Sequence, residues 1–100
     1  MPNIWLTLLC PPTLEEKLID HLLVNMGSQV FMSTSIAAHG LATDSMSSME
    51  QVMGRTRAIQ IQLVVGMQQL PELLDSLHEN FPQTGLRYWT SQITQQGELK

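Results

Sequence analysis

The sequence predicts an α+β domain in which a four-stranded antiparallel sheet carries two helices on one face. Two observations lead there. Apolar periodicity runs strand, helix, strand and then repeats in the same order. The halves are separated by a long polar insert, residues 40–54, and no linker-like stretch divides the 100 residues, of which 43% are hydrophobic. One core, residues 1–100, is what such a chain can bury.

The first strand is Ile4-Trp5-Leu6-Thr7-Leu8-Leu9, apolar at both alternating sets of positions, as suits a central strand covered on both sides. Pro11 and Pro12 end it. Thr13 and Glu16 then form a Thr-x-x-Glu capping box, which predicts a helix from Thr13 to about Met26. Its stripe Leu14, Leu18, Ile19, Leu22, Leu23 and Met26 faces the core, Glu15, Lys17, Asp20 and His21 face water, and Gly27 supplies the stop. Val30 to about His39 reads as the second strand. The third, Arg57 to Val65, is the clearest, because Ile59, Ile61, Leu63 and Val65 alternate with Ala58, Gln60, Gln62 and Val64. Leu70, Leu73, Leu74, Leu77 and Phe81 recur at helical spacing, so a second helix spans Pro71 to Asn80 with proline tolerated in its first turn. Leu86 to Thr94 is the last strand, and Gln95 to Lys100 is expected to fray. Two right-handed strand-helix-strand halves make a ferredoxin-like β-α-β-β-α-β sheet. Its second face, carrying Trp5 or Ile4, Ala58, Val64 and Trp89 or Tyr88, is too apolar for water, which predicts self-association through that face.

Charge narrows the function classes. A net charge of −4 with five Lys and Arg argues against nucleic acid as a partner. The single cysteine, Cys10, makes no internal disulfide. Ile4 to Cys10 lacks the basic lead and length of an export signal, and Leu9 stands where a lipoprotein signal has a small residue. No apolar run is long enough to insert in a membrane, so a cytoplasmic protein is expected. Enzyme chemistry is not expected either: there is no H-E-x-x-H, phosphate-binding Walker loop, dinucleotide fingerprint or assembled Ser-His-Asp set.

The element order over residues 3 to 94, with an insert between the second and third strands, resembles the PII-like proteins, ferredoxin-like signalling trimers with ligand clefts between subunits and a mobile loop at the insert position. Leu8-Leu9-Cys10-Pro11-Pro12, Leu14-Glu15-Glu16, His39-Gly40, Glu50 to Arg57 and Leu86-Arg87-Tyr88-Trp89 resemble, more narrowly, an uncharacterised bacterial family of that fold whose members lie beside heavy-metal efflux systems. The resemblance implies a homotrimer, an adenine nucleotide as ligand, and a membrane transporter or other protein as partner through the 40–54 loop. The connection Glu79 to Gly85, where PII proteins grip phosphates, has no basic residue here. Only Gly40, Arg55 and Arg57 stand in as a phosphate cradle. No tyrosine lies between Gly40 and Gly54 to be modified as in PII proteins.

Several residues in and beside the insert carry chemistry. Arg55 and Arg57 form the one close cation pair of an acidic chain, and guanidinium forks hold phosphate or carboxylate bidentately. A salt bridge to Glu50 or another acid of the insert is the alternative. His39 offers a titratable imidazole beside Gly40, which permits close backbone approach, so the candidate ligand set is His39, Gly40, Arg55 and Arg57. Ser47-x-x-Glu50 and Gly54 bracket a short helix that would align Met46, Met49 and Met53. Their thioethers suit a soft metal such as Cu(I), with His39 or Cys10 completing the site. The ordinary reading of such a methionine stripe is a short helix docked on the core or on a partner protein. Three readings follow: a PII-like ligand-responsive regulator, a Cu- or Zn-responsive metal-tolerance protein, and a structural adaptor without a small ligand.

Overall fold

The computed structural model describes residues 3–27, 30–40 and 55–100. Strand β1 (Asn3–Cys10) leads through a 3-10 turn (Pro12–Leu14) into helix α1 (Glu15–Asn25) and strand β2 (Phe31–His39). Strand β3 (Arg55–Gly66), helix α2 (Leu70–Asn80) and strand β4 (Arg87–Gln92) complete the chain. The sheet order is β2-β3-β1-β4, and β1 pairs antiparallel with both β3 and β4, as β2 does with β3. Each crossover helix therefore connects two parallel strands that have one antiparallel strand between them.

Strand register sorts the two faces. Ile4, Leu6, Leu8 and Cys10 lie opposite Val65, Leu63, Ile61 and Ile59, and all eight are buried. Leu18, Leu22 and Met26 of the first crossover and Leu73 and Leu77 of the second complete this core. The alternation read in β3 is thus the core face. The second set of β1 and β3 positions, Trp5 with Val64, Thr7 with Gln62 and Leu9 with Gln60, forms the open face.

Three local expectations are corrected. The Thr13 capping box does not form: neither the 3-10 turn nor α1 has a side-chain cap, and their N-cap positions are Pro11 and Leu14. Pro12, with its φ preset, starts the turn one residue early and places Thr13 inside it. Leu23 is 53% exposed, beyond the edge of the α1 stripe. His21 is part-buried and not solvated. Its Nε2 and Ser76 Oγ share a 2.8 Å hydrogen bond, and Phe81 meets the imidazole edge-on at 5.4 Å between ring centroids. The imidazole thereby ties α1 to α2.

The predicted stop at Gly27 has a clear physical reason. A Cβ there would meet the Leu23 carbonyl oxygen at 2.6 Å, so the chain turns off the helix where only glycine fits.

Candidate functional site

The β2–β3 ladder brings the predicted ligand residues to one place. His39 is the register partner of Arg55, Ala38 of Thr56 and Ala37 of Arg57. In an antiparallel pair the first two Cα atoms lie about 4.5–5.5 Å apart, and Arg57 follows roughly 7 Å along β3. His39 and Arg57 are exposed and share the sheet face of Ile59, because cross-strand partners and alternate residues project to the same side. Gly40 has φ +79°, the left-handed region open to glycine at little cost, so the chain turns out of the ladder there. Ala38, Thr56 and Ala58 are buried on the opposite face and fix the root of the insert.

Topology gathers more cations at this end than sequence reasoning found. β1 ends and α1 begins here, β2 ends, and β3 and β4 begin. Lys17, Arg55, Arg57 and Arg87 therefore stand at the insert end, four of the five Lys and Arg in the chain. Arg87 was missed because nothing near it in sequence is basic. Its pairing with Leu9 places it at the β4 edge of the open face. Glu15 and Glu16 in the first turn of α1 balance part of this charge.

The metal set fares differently. Met46, Met49 and Met53 lie outside the described residues. Cys10 is buried, and its thiol is pushed up to about 11 by that burial and, second, by the Glu15 carboxylate. A protonated thiol is a poor ligand. Register also separates it from His39: Cys10 is level with Ser35, four residues short of His39, or about 13 Å along the strand and about 10 Å across two strands. Among the described residues no three of His, Cys, Asp and Glu form a group able to hold a metal ion.

The open face is the second feature that bears on function. Trp5, Leu9, Val64 and Ile36 are half-buried there, while Met32 and Trp89 are about half exposed. In its centre Gln62 Nε2 donates to Thr7 Oγ1 at 3.4 Å, and Thr7 is only 2% exposed. Gln62 is thus a hydrogen-bonding position within the sheet.

The family model for DUF3240, described as a protein of unknown function, matches residues 1–100. The chain belongs to the DUF3240 family. The crystal structure of a DUF3240 family protein from Shewanella baltica is similar, with a TM-score of 0.78 at 18% identity over 100% of this chain and 99% of that one. A protein of Thermus thermophilus assigned as PII-like and signalling matches with a TM-score of 0.60 at 18% identity, covering 93% of this chain and 88% of that one. A functionally unknown protein from Pediococcus pentosaceus gives a TM-score of 0.65 at 10% identity over 99% of both chains. The sequence has no match among curated proteins. These likenesses establish that this DUF3240 chain has the β-α-β-β-α-β fold of PII-like proteins. No helix among the described residues is long and apolar enough to cross a membrane.

Proposed function

We propose that this DUF3240 protein is a non-catalytic, PII-like regulatory module: a trimer built on the open sheet face that binds an anionic ligand at the root of the insert and acts on a protein partner through residues 40–54. The observation that carries the reading is the register that pairs His39 with Arg55 and Ala37 with Arg57 at the strand end where Gly40 turns the chain away. An imidazole, a left-handed glycine and two arginines at one strand end suit a phosphate or carboxylate, which Arg binds bidentately. An adenine nucleotide is the ligand class that the resemblance to PII-like proteins brings forward, held here from the insert root and not from the Glu79 to Gly85 connection. The ligand switches the module if it contacts one arrangement of the 40–54 segment more strongly than another.

The trimer is supported by the composition of the open face. Trp5, Leu9, Ile36, Val64 and Trp89 lie around a satisfied Thr7–Gln62 pair, a pattern of apolar surface with polar groups already paired that suits burial.

Amide exchange of residues 40–54 tests the switch. Protection there should change on adding ATP or ADP, and the change should disappear in Arg57→Ala. Exchange that stays the same with every nucleotide would refute the ligand-coupled part of the proposal.

A further inference from the structure

Two features at opposite ends of β4 have no role in the regulatory module described above. At its start, between α2 and β4, lies an open slot of about 190 Å³ whose apolar lining, Leu8, Leu74, Leu77, Phe81, Leu86 and Tyr88, is joined by the polar groups of His78, Gln83 and Thr84. It exists because the loop from α2 to β4 swings wide: Gln83 takes φ +58° and Gly85 φ +79°, and Thr84 Oγ1 donates to the Phe81 carbonyl at 2.8 Å to brace the turn. Phe81 is held from behind by His21. The slot is therefore braced on the Phe81 side and offers apolar side chains from Leu8, Leu74 and Leu77. At the other end of β4, the chain beyond Gln92 continues without helix or strand, exposed from residue 94 onward, and Leu99 is fully exposed.

We infer that residues 93–100 form an arm that reaches a second copy of the chain and seats Leu99 in that copy's slot between α2 and β4. A cavity of about 150 Å³ admits benzene, so the slot has room for an isobutyl group. The arm's other residues past Ile93 are polar or charged apart from Gly97, which leaves Leu99 as its apolar anchor. The arm departs beside Ile4, the β1 partner of Gln92, whereas the slot sits against Leu8, the partner of Tyr88. Donor and acceptor are thus distinct surfaces of one subunit, which is the condition for a head-to-tail contact, the kind that makes a ring when its rotation closes. The inference rests on the self-association proposed above and adds a residue that each subunit contributes to its neighbour.

The test is a double variant, Leu99→Cys with His78→Cys, since His78 is exposed and lines the slot. Buried, protonated Cys10 does not compete. Mild oxidation should give a covalent ladder of dimers and trimers that neither single variant gives. Leu99→Asp should weaken association by about tenfold to a hundredfold, as removal of one buried leucine implies, and Leu99→Met should restore it. An oligomer by native mass spectrometry that forms no such ladder, or only a link within one chain, overturns the arm and leaves the trimer standing. The same holds if Leu99→Cys links instead to Ser91→Cys on the open face. A monomer throughout overturns both.

Discussion

Replacing Trp89 by alanine should separate the fold from the assembly. Trp89 is opposite Thr7 on the open face and is 48% exposed in the single subunit. A tryptophan side chain offers about 200 Å² to bury, so roughly 100 Å² remains for a partner to cover. At about 25 cal/mol per Å² that is ~2.5 kcal/mol per subunit, or about a seventyfold weaker association for each tryptophan removed from the interface. Sedimentation velocity over a concentration series reads this directly: Trp89→Ala should shift the dissociation midpoint by one to two orders of magnitude, while circular dichroism reports an intact fold. If the variant associates as tightly as the parent, the open face is not the interface, and the assembly built on Trp5, Leu9, Val64 and Trp89 fails.

Other perturbations probe the same picture from inside the subunit. Leu63→Ala removes a fully buried side chain facing Leu6 and Phe31 and should cost about 2–5 kcal/mol in denaturant unfolding; a cost under about 1 kcal/mol would place Leu63 on the wrong face. Ser76→Ala deletes the hydrogen bond to His21 that joins the helices and should cost about 1 kcal/mol, visible as a melting point a few degrees lower. Cys10 should resist thiol reagents at pH 8 in the folded state. Its thiol holds its proton to about 11 when folded, above the unfolded value, so stability is level below about pH 9 and falls as pH rises toward 11. Cys10→Ala should flatten that decline, and a parent already flat across the range would contradict the shift.

Much of the architecture was legible because β3 and α2 carry unmixed periods. Ile59, Ile61, Leu63 and Val65 can serve one sheet face only, and Leu70, Leu73, Leu74 and Leu77 only a helix. Errors arose where tertiary context or neighbouring backbone overrode a local signal. Pro12 displaced the Thr13 cap, and Leu23 continued the α1 stripe in sequence yet lies past the edge of the buried surface. His21 looked solvated, since its partners Ser76 and Phe81 are more than fifty residues away. Near the candidate site, the adjacency of His39 to Arg55, with Arg57 two residues on, followed from reading the insert as a connection between adjacent strands. Arg87 did not, because only the sheet order brings β4's first residue to the same end. The α2–β4 slot was equally hidden, being a product of the left-handed Gln83 and Gly85.

The central claim is a ligand-binding trimer with its anion site at the root of the insert, and native mass spectrometry of the protein with adenine nucleotides, set against Arg57→Ala, tests it most directly. A trimer that retains nucleotide is predicted, with affinity lower by about tenfold to a hundredfold in the variant, as removal of one charged hydrogen-bonding partner implies. A monomer, or a trimer that binds nucleotide equally well with and without the Arg57 guanidinium, would contradict it.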